Sequence, residues 1–312
     1  MFSVAELEAA ARIVYAAMPP TPQYAWPLLG ERAGCEVWVK HENHTPIGAF
    51  KLRGGLVYFE RNRPAKGVIS ATRGNHGQSI AFAGRRAGVP VTIVVPHGNS
   101  REKNAAMRGF GAQLIEFGGD FDEARVEAER VARERDLGWV PSFHPDLVLG
   151  VATYALELLR AVPDLDTVYA PIGMGSGICG LIRTRDLLGL ATRIVGVQAE
   201  RAPAYARSFA AGRVITTQTA DTLADGMATR VPDPGALEII RGGAERIVTL
   251  SEEEIAAAMR ILFTDTHNLA EGAGAAPLAA LLKERAAMRG RKSAVILSGG
   301  NVDLDLLLRV LG

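Results

Sequence analysis

Only two cysteines, Cys35 and Cys179, occur in 312 residues, which excludes a disulfide-built scaffold and any zinc site of paired cysteines. Both lie in apolar stretches and are expected as buried thiols in a reducing compartment. No apolar run approaches the roughly 20 residues that a membrane span needs. Residues 1–18 lack a basic segment followed by an apolar one, so no secretory leader is expected there. Neither sign of charge dominates. The 35 basic and 34 acidic residues leave a formal charge of +1, which gives no electrostatic reason for a nucleic-acid or anionic-membrane partner. Low-complexity tracts, linkers and internal repeats are also missing. Trp26, Trp38 and Trp139 are scattered and read as core or interface rather than as a stacking surface. A cytoplasmic protein is the expectation.

What remains is ample material for a core, with 48% hydrophobic and 22% charged residues. Short β-branched runs alternate with longer runs rich in Ala, Leu and Arg. Strands are expected at 36–40, 67–71, 91–95, 113–116, 167–171, 193–199 and 293–297. Helices are expected at 77–87, 101–109, 120–136, 146–161, 177–188, 202–211, 252–266, 273–288 and 303–311. Strands separated by helices pair in parallel, so the class is α/β with helices on both faces of the sheet. Two lobes are expected, a small one over 45–145 and a large one from 1–44 and 146–312.

Ligands of open parallel sheets bind beyond the carboxyl ends of the strands. Four loops there are unusual. In Lys40-His-Glu-Asn-His-Thr-Pro-Ile-Gly-Ala-Phe-Lys51, Pro46 and Gly48 break the chain and Phe50-Lys51 opens a helix. The positive end of a helix dipole lowers a lysine pKa, which suits an amine that must attack an aldehyde; the plain alternative is a solvated lysine at a helix start. Ser70-Ala-Thr-Arg-Gly-Asn-His-Gly-Gln78 is a small-residue turn into a helix, and its amides and Asn75 can grip a phenolic oxygen or a carboxylate. An ordinary turn is the alternative. Pro171-Ile-Gly-Met-Gly-Ser-Gly-Ile-Cys-Gly180 follows a strand and opens a helix, as an anion cradle does. No Gly-Lys-Ser/Thr follows, so it is not a P-loop, and it fits a dinucleotide fingerprint only in a shifted register. Leu297-Ser-Gly-Gly-Asn-Val302 places a hydroxyl after the last strand, where it can face a neutral ring nitrogen or merely cap a turn.

Together these segments resemble the fold-type II pyridoxal-phosphate (PLP) family, in the branch of threonine/serine dehydratases and serine racemase. The resemblance runs from Thr21-Pro22 to Ser298-Gly-Gly-Asn301 and includes Glu271-Gly-Ala-Gly274. It implies a tryptophan synthase β-like fold of two open, twisted, mostly parallel sheets flanked by helices. It names PLP as the cofactor and Lys51 as the catalytic lysine that carries it. Phe50 would pack beside the ring, and Asn75 would bond its phenolic oxygen. Gly173, Met174, Gly175, Ser176 and Gly177 would hold the phosphate, with Ser298 at the pyridine nitrogen. Thr72, Arg73, Gly74 and His76 would bind the substrate carboxylate, and Glu271 would lie on the substrate side. The implied reaction is β-elimination from a β-hydroxy-α-amino acid to a 2-oxo acid and ammonia, with a homodimer as the family expectation.

Departures from the family pattern narrow the reading. Arg73 stands where the branch has a small residue, serine in the racemases, and a guanidinium is too basic to serve as a second acid/base. Racemisation is therefore not expected; threonine and serine are the default substrates, and a bulkier or charged side chain is the narrower alternative that Arg73 suits. The segments around Arg73 and Lys51 are similar to dehydratases of hydroxyectoine utilisation and of phenylserine. Glu200 matches a metal ligand of the racemase branch, but the matching Asp position is Ala206, so no divalent metal is expected. Asp225 is a family loop residue. The chain ends about one helix after Ser298-Gly-Gly-Asn301, which favours catabolic use without isoleucine feedback. A serine racemase, a non-catalytic PLP protein and a nucleotide-binding oxidoreductase are the alternatives.

Overall fold

The computed structural model describes residues 2–62 and 66–312. Ten strands occur among the described residues: β1 (Gln23–Ala25), β2 (Glu36–His41), β3 (Val68–Ala71), β4 (Val91–Val95), β5 (Gln113–Glu116), β6 (Gly138–Trp139), β7 (Thr167–Pro171), β8 (Arg193–Ala199), β9 (Arg246–Leu250) and β10 (Lys292–Leu297). The contacts divide the chain into two compact units. One comprises residues up to Pro19 with Lys51–Val151, and the other comprises Pro20–Phe50 with Ala152–Gly312.

The first unit holds a four-stranded parallel sheet in the order β5-β4-β3-β6. β3 and β4 are buried at every position, because helices cover both faces of a parallel sheet and leave no polar side. Ala124, Ala128 and Val131 of the Phe121–Arg135 helix pack on Ile69, Ala71 and Val94. The helices Lys51–Asn62 and Asn75–Ala87 pack against each other at a glycine, since a Cβ on Gly55 would come within 2.9 Å of the Ser79 carbonyl. Gly88, at φ +69°, ends the second of these helices in the left-handed conformation.

The second unit is built on a six-stranded sheet in the order β1-β2-β10-β7-β8-β9, parallel except for the antiparallel edge strand β1. Its core gathers Val37, Val39, Tyr169, Val195, Val197, Val295 and Leu297 from the strands with the Ala-rich face of the Gly272–Lys283 helix. Ser251 caps the Glu252–Thr266 helix reciprocally with Glu254, as the sequence motif requires. Because β2, β10 and β7 are neighbours and parallel, the loops that follow them leave from one edge of this sheet.

The structure adds β1, β6 and β9 to the expected strands, and helices at Pro27–Ala33 and Pro234–Gly243. The helix expected over 273–288 is two, Gly272–Lys283 and Arg285–Met288, separated at Glu284. Among the described residues no helix is long and apolar enough to cross a membrane.

Candidate functional site

In the second unit the chain leaves β7, passes through Gly173, Met174 and Gly175, and enters the Ser176–Leu187 helix. Gly173 and Gly175 are required by close neighbours, and Gly177 packs beside an aromatic ring. A Cβ on Gly173 would lie 2.2 Å from the Gly226 carbonyl oxygen, and one on Gly177 would lie 3.4 Å from the Phe50 ring. Gly175 has φ +100°, and a Cβ there would lie 2.8 Å from the Ala236 methyl. The first amides of a twelve-residue helix have no partner within the helix, and the dipole makes that end positive. Such a loop leading into a helix N-terminus has the form that suits an anion.

Its outer side is held by phenols. Tyr205 Oη donates to the Met174 carbonyl at 3.0 Å and accepts the Asp233 amide at 3.0 Å. Tyr154 Oη donates to the Gly177 carbonyl at 2.9 Å, and its ring meets Phe50 edge-on. The segment after β10 lies beside the same residues. The Phe50 amide donates to the Ser298 carbonyl at 3.0 Å, Ala49 pairs with Gly299, and the Glu271 amide donates to the Gly299 carbonyl at 3.1 Å. Ser298 and Glu271 are both 3% exposed. Phe50, the 173–177 loop, Ser298 and Glu271 therefore come together in one unit, although they are spread over most of the sequence.

The first unit gathers the other expected residues. Lys51 opens its helix, and burial pulls its pKa down to about 8. The helix dipole acts in the same direction, but burial is the cause the structure supplies. Thr72 follows β3, and its hydroxyl accepts the amides of Gly74 and Gly77 at 2.9 and 3.3 Å, which shapes the turn into the helix that starts at Asn75. His76 is buried and held neutral, its pKa near 3, first by desolvation and then by the charge of Lys51. Lys51 and the 72–76 turn are thus neighbours. Lys103, itself buried, lays its stem against Gly74.

Among the described residues, eight buried side-chain nitrogen or oxygen atoms lack a hydrogen-bond partner, and three of them, Arg73 Nε, His76 Nε2 and Gln78 Nε2, fall within six consecutive positions. Buried polar atoms are normally satisfied, so such a cluster marks a place where a polar ligand completes the set. Within the first unit, the low-pKa amine and the neighbouring orphaned donors fit an aldehyde and an amino-acid substrate; within the second, the glycine loop fits a phosphate group. Glu200, the residue weighed as a metal ligand, is exposed and lies 3.8 Å from Lys283 Nζ, while the Ala206 amide donates to Gln198. Among the described residues no group of three His, Cys, Asp or Glu side chains is placed to hold a metal ion. Sequence reasoning did not find Tyr154, Tyr205 or Gly226. Their contacts with the loop span 23 residues or more, and no local motif announces them.

The chain is similar to known proteins over most of its length. Residues 14–299 match the family described as pyridoxal-phosphate dependent enzyme. The chain is 38% identical over 281 residues to the L-threonine ammonia-lyase of Geobacter sulfurreducens, covering 89% of this chain and 70% of that protein. It is 32% identical over 288 residues to the L-threo-3-hydroxyaspartate ammonia-lyase of Saccharomyces cerevisiae, covering 91% of this chain and 88% of that one. Maize serine racemase superposes with a TM-score of 0.92 at 26% identity, covering 98% of this chain and 96% of that chain.

Proposed function

The chain belongs to the pyridoxal-phosphate-dependent enzyme family, and from that premise we propose that it is an ammonia-lyase converting a β-hydroxy-α-amino acid to a 2-oxo acid and ammonia. The observation that carries the assignment of roles is Lys51, a buried amine with its pKa lowered to about 8. About a tenth of such a group is unprotonated at pH 7, against well under a thousandth of an ordinary lysine. Lys51 would be the residue that binds the cofactor covalently, and the next residue back, Phe50, lies against Gly177 of the glycine loop. Amides of Gly173, Met174, Gly175, Ser176 and Gly177 would hold the phosphate, Asn75 would hold the phenolic oxygen, and Ser298 would face the pyridine nitrogen.

When bound, PLP withdraws electrons from the substrate amine and makes the Cα proton acidic. Lys51 would be the base that takes this proton. The substrate carboxylate would be received by the turn through Thr72, Gly74 and His76, with the Arg73 guanidinium of the same turn toward the substrate side chain. A hydroxyl at the ring nitrogen, unlike a carboxylate, does not fix a proton there, which favours loss of the β-hydroxyl as water over transamination. The released enamine tautomerises and hydrolyses to the 2-oxo acid and ammonia.

Threonine and serine are the first substrates, with 3-hydroxyaspartate and 3-phenylserine as the charged and bulky alternatives that Arg73 admits. A cytoplasmic homodimer is part of the same reading, and the two buried, unpaired thiols suit a reducing compartment. The test is 2-oxo acid release from these four amino acids by the PLP-loaded protein. Release from at least one is expected, and release from none, with the cofactor visibly bound, overturns the lyase assignment.

A further inference from the structure

We infer that Tyr205 and Tyr154 are positioning residues that aim the amides of Gly175 and Ile178, within and just beyond the glycine loop, at the cofactor phosphate by pulling the preceding carbonyls the other way. The inference rests on the proposal that this loop is the phosphate cradle. A peptide unit is planar, so holding a carbonyl on one side of the chain turns the amide of the following residue to the opposite side. Tyr205 takes the Met174 carbonyl and thereby orients the Gly175 amide. Tyr154 takes the Gly177 carbonyl, which orients the amide of Ile178, and its edge-on contact sets the Phe50 ring against Gly177.

Gly175 needs such a device. At φ +100° it has the mobility of a glycine, and its own conformation does not select one direction for the amide. Tyr205 is fully buried on the Ala204–Ala211 helix, and its oxygen has a second fixed partner. It accepts the amide of Asp233, the N-cap of the Pro234–Gly243 helix, whose Ala236 methyl in turn closes the space beside Gly175. One hydroxyl therefore registers the loop against two helices. Thr229 adds a weaker contact, its hydroxyl 3.8 Å from Met174 Sδ. Phenylalanine at position 205 or 154 keeps the ring packing and removes only the oxygen.

The experiment compares wild type, Tyr205→Phe and Tyr154→Phe holoenzymes by equilibrium dialysis, reading bound cofactor from its visible absorption. Each protein is loaded either with PLP or with pyridoxal, which has the same ring and aldehyde but no phosphate. Tyr205→Phe is expected to weaken PLP about tenfold, the scale of one buried hydrogen bond left unmade, and to change pyridoxal less than about twofold. Tyr154→Phe is expected to do the same, and it stands as the independent test should Tyr205→Phe not fold. The phosphorus NMR shift of bound PLP moves with the loss. Equal weakening of PLP and pyridoxal, or no weakening of either, overturns the positioning role. A wild type that holds pyridoxal as tightly as PLP, and from which inorganic phosphate displaces neither, instead overturns the cradle and the inference with it.

Discussion

Ser79 Oγ donates a 2.6 Å hydrogen bond to the carbonyl oxygen of Lys51, which ties the first turn of the Lys51–Asn62 helix to the Asn75–Ala87 helix. The helices approach this closely only because position 55 is glycine. Gly55→Ala would press a methyl within 2.3 Å of Ser79 Oγ and 2.9 Å of the Ser79 carbonyl oxygen. It is expected to lower the unfolding free energy by about 1–3 kcal/mol and to disturb Lys51. Chemical denaturation checks the first effect, and the visible band of the loaded protein checks the second. Full wild-type stability would contradict the close approach.

The lowered pKa of Lys51 predicts a pH dependence of cofactor loading. Only the neutral amine attacks an aldehyde, so the loading rate of apoenzyme should rise with pH and reach half its plateau near pH 8. The sign follows from burial, which disfavours the charged form of a lysine and moves its titration downward. A rate that keeps rising tenfold per unit past pH 9 would mean an ordinary, solvated lysine.

Arg73 is partly buried with an unpartnered Nε beside the neutral His76. Its removal should reorder substrates rather than abolish turnover. Arg73→Ala is expected to change the ratio of kcat/KM values among threonine, serine, 3-phenylserine and 3-hydroxyaspartate by about tenfold or more, the scale of one hydrogen bond to a charged group. An unchanged ratio means that this guanidinium does not read the side chain.

The same position predicts the stereochemical outcome. A guanidinium is not deprotonated in proteins, so it cannot cycle as a second acid/base on the opposite face of the substrate. L-serine incubated with the loaded protein should yield pyruvate and no D-serine, as chiral chromatography would establish. Accumulation of D-serine would place the chain with the racemases it resembles in fold.

The parallel sheets were legible because β3, β4, β7 and β10 are almost wholly buried and read as short, mostly apolar runs without polar alternation. β9 was not, since most of Arg246–Leu250 is only half-buried and its strand character comes from pairing with β8. β1 and β6, three and two residues long, carry no period at all. The glycine loop and Lys51 announced themselves because close backbone approach and a helix start leave local marks. The phenols behind the loop left none, being ordinary tyrosines within helices that only tertiary packing brings to Met174 and Gly177. The cause of the Lys51 shift was likewise hidden. A sequence shows the helix start but not the burial that dominates.

The central claim is that one amine carries the cofactor, and reductive trapping reads it directly. Holoenzyme treated with borohydride and digested should yield a single pyridoxyl-modified peptide, with the added mass on Lys51 and fragment ions that exclude its neighbours. Modification of a different lysine, or of none in a protein that still releases 2-oxo acid, would contradict the account.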